Sequence, residues 1–202
     1  DLQDPRRLTL ALFRLALACS MWGDDKAADT AATEAAALAH TLRADPQARE
    51  LVVGAWFARA MAQLRLNKTD AARRWARELL DFLSAPGEQP STWLCVAHLC
   101  LCIAATAQGD IAAARAHGQQ AVQVFDAVTD ADTDPGLLRE LLACSAFAES
   151  TVGDGMARGT LGKGTAPPDL GPALRLLAEH QRTGALGSLA DIATAKGLLS
   201  LA

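Results

Sequence analysis

The residues best placed to do chemistry are Cys95, His98 and Cys102, in the run "STWLCVAHLCLCIAATAQ". Spacings of three and seven put all three on one face of a helix. Thiolate and imidazole are the ligands zinc prefers, but the ion needs a fourth ligand and tetrahedral geometry. Seven helical residues also span about 10 Å, too far for both thiols to share one ion. Free cysteine packs as a small apolar side chain, and packing is the expected role here. A second feature is "GTLGKGT", residues 159–165. A phosphate loop needs Gly, four residues, then Gly-Lys-Ser/Thr after a strand. Ala157 stands where the first Gly should be and Gly164 where the hydroxyl should be. His40, His117 and His180 have no neighbouring set of Cys or carboxylates. Arg73, Arg74 and Arg77 form a short basic stripe that reads as a solvated helix face. An enzyme would need a polar cleft with a perturbed acid or base. No such cluster is legible, so the expectation is a binding protein with no metal, cofactor or catalytic residue.

The elements that carry these residues follow from composition. Half of the 202 residues are hydrophobic, but only 4% are aromatic and none is Tyr. Alanine and leucine supply the apolar content, which favours helix over strand. The net charge of −4, from 19 basic and 23 acidic residues, provides no footprint for nucleic acid and no polybasic membrane patch. The longest apolar stretch, residues 93–107, is too short to span a bilayer. Five cysteines without framework spacing point to reduced thiols and a cytoplasmic chain. The opening "DLQDPRRL" has neither Met nor an apolar leader segment, which leaves open whether the chain is a piece of a longer protein.

Internal repetition gives the organisation. Gly-Asp occurs at residues 23–24, 109–110 and 153–154, and Asn67-Lys68 holds the same place between the first two. The anchors 23, 67, 109 and 153 are separated by 44, 42 and 44 residues. Asn substitutes for Gly where a helix ends in a left-handed residue. Proline recurs in phase at Asp4-Pro5, Asp45-Pro46, Gln89-Pro90 and Asp134-Pro135, and Asp followed by Pro is a good helix start. Each unit reads as cap, proline, helix, turn, second helix. Seven residues before the anchors stand Ala16, Ala60, Cys102 and Ala146; five after stand Ala28, Ala72 and Ala114, and then Arg158. Small residues at fixed points allow two helices to approach closely as a hairpin.

On these residues the chain resembles the tetratricopeptide-repeat family over residues 5–153. The family's small first-helix residue falls on Ala16, Ala60, Cys102 and Ala146, and its second-helix alanine on Ala28, Ala72 and Ala114. Its early tryptophan is present only as Trp56, with Leu12, His98 and Leu142 elsewhere. The usual repeat is about 34 residues, so this is similar to the long-helix variants of bacterial regulators and signalling proteins. The resemblance implies an all-α, right-handed superhelix of about four hairpins, an α-solenoid with C-terminal helices. It also implies a concave groove lined by the first helices, where a protein or peptide binds.

Two rows would face that groove. Ten residues before the anchors come Phe13, Phe57, Leu99 and Ala143; six before come Leu17, Met61, Ile103 and Phe147. The expected contact residues are Phe13, Leu17, Phe57, Met61, Leu99, Ile103 and Phe147. Rows this apolar read either as core or as a site for an apolar peptide, the chain's own C-terminal helix or a second copy. The tryptophans Trp22, Trp56, Trp75 and Trp93 are expected inside the hairpins.

The organisation expected is helical repeats over residues 1–153, a Gly/Pro-rich flexible loop over 154–171 and capping helices over 172–202. The first of these should present Leu174, Leu177 and Ala178 on one face. "SLADIATAKGL", residues 188–198, is similar to the opening of a helix-turn-helix, but no basic recognition helix follows. The function expected is a protein-interaction module without direct nucleic-acid or membrane binding. The alternative is the ligand- or peptide-sensing domain of a larger bacterial regulator.

Overall fold

A computed structural model describes residues 4–87, 89–128, 135–158 and 165–183. Among them every regular element is helical. The contacts gather the chain into two compact units, Asp1–Gln89 and Pro90–Ala202.

The N-terminal unit holds α1 (Pro5–Met21), α2 (Asp25–Leu42), a 3-10 turn (Pro46–Ala48), α3 (Arg49–Arg65) and α4 (Thr69–Leu83). Helix α1 packs on α2 and α3, α2 on α3, and α3 on α4. The Asp4 carboxylate accepts from Arg6 N at 3.0 Å and Pro5 opens α1 as its first residue. Asp45 caps in the same way, but Pro46 opens the 3-10 turn and α3 starts at Arg49. The packing here is built from tiny side chains. Helix α2 buries Ala28, Ala31, Ala32, Ala35, Ala36 and Ala39, so α3 can lie close against it. Trp56 fills the wider end, edge-on to Phe82 at 5.3 Å and tilted against Trp75 at 6.5 Å.

The C-terminal unit holds α5 (Thr92–Ala107), α6 (Ile111–Val128), α7 (Pro135–Ala157) and α8 (Gly171–Thr183). Helix α5 packs on α6 and α7, α6 on α7, and α7 on α8. Its core is heavier, with Leu99, Phe125, Leu138, Leu141, Leu142 and Leu176 in one cluster. Pro90 lies two residues ahead of α5, and Ser91 occupies the cap position.

Three of the four anchors turn the chain in the same way. Gly23, Asn67 and Gly109 have φ of +81°, +57° and +73°. The amide after each donates to the carbonyl four residues before the anchor: Asp24 to Cys19, Lys68 to Gln63 and Asp110 to Ala105, at 2.9, 2.8 and 2.9 Å. This six-to-one bond around a left-handed residue closes the helix end, and glycine or asparagine meets the backbone requirement at least cost. Asp24 and Asp110 then cap the next helix through Ala27 N and Ala113 N. Lys68 has no carboxylate to do so, and α4 starts without a side-chain cap. The small residues at the aligned positions are all buried: Ala16, Ala60, Cys102 and Ala146 before the anchors, and Ala28, Ala72 and Ala114 after them.

The fourth anchor behaves differently. Helix α7 continues through Gly153-Asp154 to Ala157, so the turn expected there does not form. Glycine only weakens a helix. Here Val152, Gly153 and Gly155 are buried, and that packing keeps the helix going. Helix α8 also turns a different face inward from the one expected. Ala173 and Leu176 are buried with Leu177 beside them, whereas Leu174 and Ala178 are exposed. The face is set by α7, on which Leu176 joins the leucine cluster. Residues 159–164 of the Gly/Pro-rich stretch and residues 184–202, including "SLADIATAKGL", lie outside the described residues.

Candidate functional site

The seven expected contact residues divide between the two units and differ in burial. In the N-terminal unit, the Phe13 ring is packed onto α3, with Cζ 3.1 Å from where a β-carbon on Gly54 would stand. Glycine at 54 is what admits the ring. Phe57 and Met61 on α3 are half-buried, and Leu17 on α1 is 37% exposed. In the C-terminal unit Leu99 is buried and Ile103 packs beside it in the leucine cluster. Phe147 on α7 stands 52% exposed.

A larger exposed apolar surface lies on α1. Met21 is 86% exposed, Trp22 84% and Leu15 51%, with Leu10 also exposed beside Leu17. Trp22 is therefore outside the hairpin core in which it was expected. It caps α1 just before the left-handed turn at Gly23. Trp56 is buried, and Trp75 and Trp93 are half-buried. The repeat register does not pick out Leu10, Leu15, Met21 or Trp22, because they stand at none of its aligned positions. The signal that finds them is the composition of α1. Its 17 residues include Arg6, Arg7 and Arg14 and no acid, and the rest of its outward face is leucine, alanine and methionine.

The candidate metal ligands are drawn apart. Cys95 is buried in the leucine cluster. Cys102 Sγ lies 3.9 Å from the Cys144 carbonyl. His98 instead meets His117 across the α5–α6 contact, Nδ1 to Nδ1 at 3.1 Å. Burial, and then the neighbouring His117, push the His98 pKa down to about 4. A neutral pair can share one N–H between the two rings, whereas two imidazoliums would each present a donor. Burial pushes the thiols the other way: Cys95 and Cys102 to about 11 and Cys100 to about 12. They stay protonated at neutral pH and lack thiolate reactivity. Among the described residues no three His, Cys, Asp or Glu gather to hold a metal ion.

The polar groups that are brought together hold helices in place. In the N-terminal unit, Asp29 of α2 accepts from Arg59 and Gln63 of α3, and Lys68 Nζ lies 3.1 Å from its other oxygen. In the C-terminal unit, Arg115 of α6 donates through Nε to buried Glu149 of α7 at 2.9 Å. Its other nitrogens donate to the Ala166 and Pro167 carbonyls at 3.1 and 2.9 Å, and Asp169 N donates to Glu149 at 2.9 Å. The segment entering α8 is thereby fastened to both helices. Beside it lies a cleft of about 310 Å³, lined by Gln119, Val122, Leu142, Ser145, Pro172 and Arg175 among others. Arg175 is held by two bonds to Asp126, at 2.7 and 2.6 Å, which raise its pKa further.

No described helix is long and apolar enough to cross a membrane. No protein-family model matches the chain, and no curated protein is significantly similar to it.

Proposed function

We propose that this chain is a helical-repeat interaction module, similar to the tetratricopeptide family, that binds a segment of a partner protein in the cytoplasm and does no catalysis. Three features support the repeat reading: the recurrent left-handed turn, the buried small residues in register, and the packing of α1 on α3 and of α5 on α7. A superhelix stacked from these hairpins belongs to the same proposal. The observation that carries the binding reading is the face of α1. Exposed Met21 and Trp22 beside Leu15 and Leu17 form the kind of apolar surface that marks interfaces, and tryptophan is an enriched anchor there.

A photo-reactive side chain placed at Met21 tests it, with one at exposed Glu78 of α4 as the control. A discrete protein adduct is expected from position 21 only, and Leu17→Glu should remove it while helicity is unchanged. Equal labelling at both positions, or none at 21, would overturn the reading.

The second reading, a sensing domain of a larger regulator, is favoured by the cleft at α6, α7 and α8. About 310 Å³ is at the lower end of small-ligand sites, and its wall combines Val122 and Leu142 with Gln119, Ser145 and Arg175.

A further inference from the structure

Resting on the interaction reading above, we infer that the outward face of α1 docks an acidic amphipathic helix of a partner protein. The relief of the face indicates a helix. Ala11 and Ala18 are seven residues apart and lie almost one above the other, so they form a shallow line along α1. Leu15 and Trp22 rise directly on one side of that line, and Leu10, Leu17 and Met21 on the other, beyond Arg7 and Arg14. A low line with apolar side chains to either side is how one helix receives the side-chain ridge of another. The opposite side of α1 is committed elsewhere, since Thr9 and Ala16 are buried against the rest of the unit.

Charge selects the partner. Arg7 and Arg14 are also seven apart and exposed, alongside the alanine line. Arg6 is occupied by Asp45 and Gln47. Arg7 lies only 3.7 Å from the capping Asp4, in an exposed pair that holds it weakly. Because α1 contains no Asp or Glu, pairing with α1 of a second copy would set arginine against arginine with no acid to meet it. A helix with Leu-type residues on one stripe and Glu or Asp flanking them meets both features, and rejects basic competitors by like-charge repulsion. Two exposed arginines are few for an anionic membrane, where recognition takes clusters of about four to eight basic residues.

The test uses the intact chain and two labelled helix-forming peptides with the same leucine stripe, one flanked by Glu and the other by Lys, read by fluorescence anisotropy. The Glu peptide is expected to bind about tenfold or more tighter than the Lys peptide, with the gap narrowing as salt rises. Arg7→Glu with Arg14→Glu should reverse the order, and Arg14→Gln should narrow it. These positions are exposed, and circular dichroism checks that the variants keep their helices. Equal binding of the two peptides would overturn the acidic partner while leaving docking on α1 intact. Binding of neither peptide, with the Met21 adduct still lost in Leu17→Glu, would overturn the helical partner but keep the interaction reading. Sedimentation as a dimer that Leu17→Glu dissolves would assign the face to a second copy. Binding to phosphatidylserine vesicles without peptide discrimination would assign it to lipid.

Discussion

The two units make the same joint with opposite charges. Asp29 stands six residues after the Gly23 anchor and Arg115 six after Gly109. Their partners Gln63 and Glu149 each stand four residues before the next anchor. In both units the second helix of one hairpin is therefore tied at the same height to the first helix of the next. The register is kept, whereas the sign and the residue type are not. The difference follows from valence. A carboxylate only accepts, so Asp29 collects Arg59, Gln63 and Lys68 from one neighbourhood. A guanidinium has five N–H donors in a fixed fork, so Arg115 satisfies Glu149 and still reaches the carbonyls of Ala166 and Pro167. The C-terminal joint thus also secures the segment leading into α8.

The largest effect should separate the two joints. Glu149→Ala leaves Arg115 without its buried counter-charge and Asp169 N without its acceptor, and should cost about 3–5 kcal/mol. Asp29→Ala should cost less, about 1–3 kcal/mol, because Asp29 is 16% exposed where Glu149 is 1%, so water can reach the site and resolvate Arg59 and Lys68. Hydrogen exchange read separately over α2–α3 and α6–α7 measures each loss locally. A larger loss at Asp29 would break the comparison.

The hairpin positions should instead respond alike. Ala60 and Ala146 are both fully buried at the same register. Ala60→Leu and Ala146→Leu should each cost about 1–3 kcal/mol through overpacking. A silent substitution at either would mean that the two are not equivalent, and urea denaturation of each variant decides it.

The smallest effect is a pH dependence confined to the C-terminal unit. His98 titrates near 4 in the fold against an ordinary value of 6.5. The unfolded chain therefore binds the proton more readily between those values, so stability is present above about pH 6.5 and is lost as pH falls through about 4. With the ring partly open to solvent, the loss should be about 1 kcal/mol. His98→Leu should flatten the exchange rates of α5–α6 against pH across this window. An unchanged slope would show that the imidazole pair does not contribute it.

Helical structure, the hairpin turns and the close-packed positions were legible because each depends on local covalent facts. A left-handed residue is easy only for glycine or asparagine, which marks Gly23, Asn67 and Gly109. A small side chain in register marks where backbones meet, as at Ala16, Ala60 and Cys102. The candidate site was only partly legible. Periodicity found Leu17 and Phe147 among the exposed residues, but it placed Leu99 and Ile103 in the same rows, and these pack in the core. A row of apolar residues looks the same whether a helix of the chain covers it or solvent does.

By itself, then, the sequence determined where the chain becomes helix, where it reverses at three of four anchors and which positions must be small, because backbone sterics act over a few residues. The tertiary structure alone decided that α7 runs on through Gly153, that Arg115 finds Glu149 thirty-four residues away, and that α1 leaves Trp22 outward. Those outcomes depend on which surfaces bury each other, and burial joins parts of the chain that no local pattern connects.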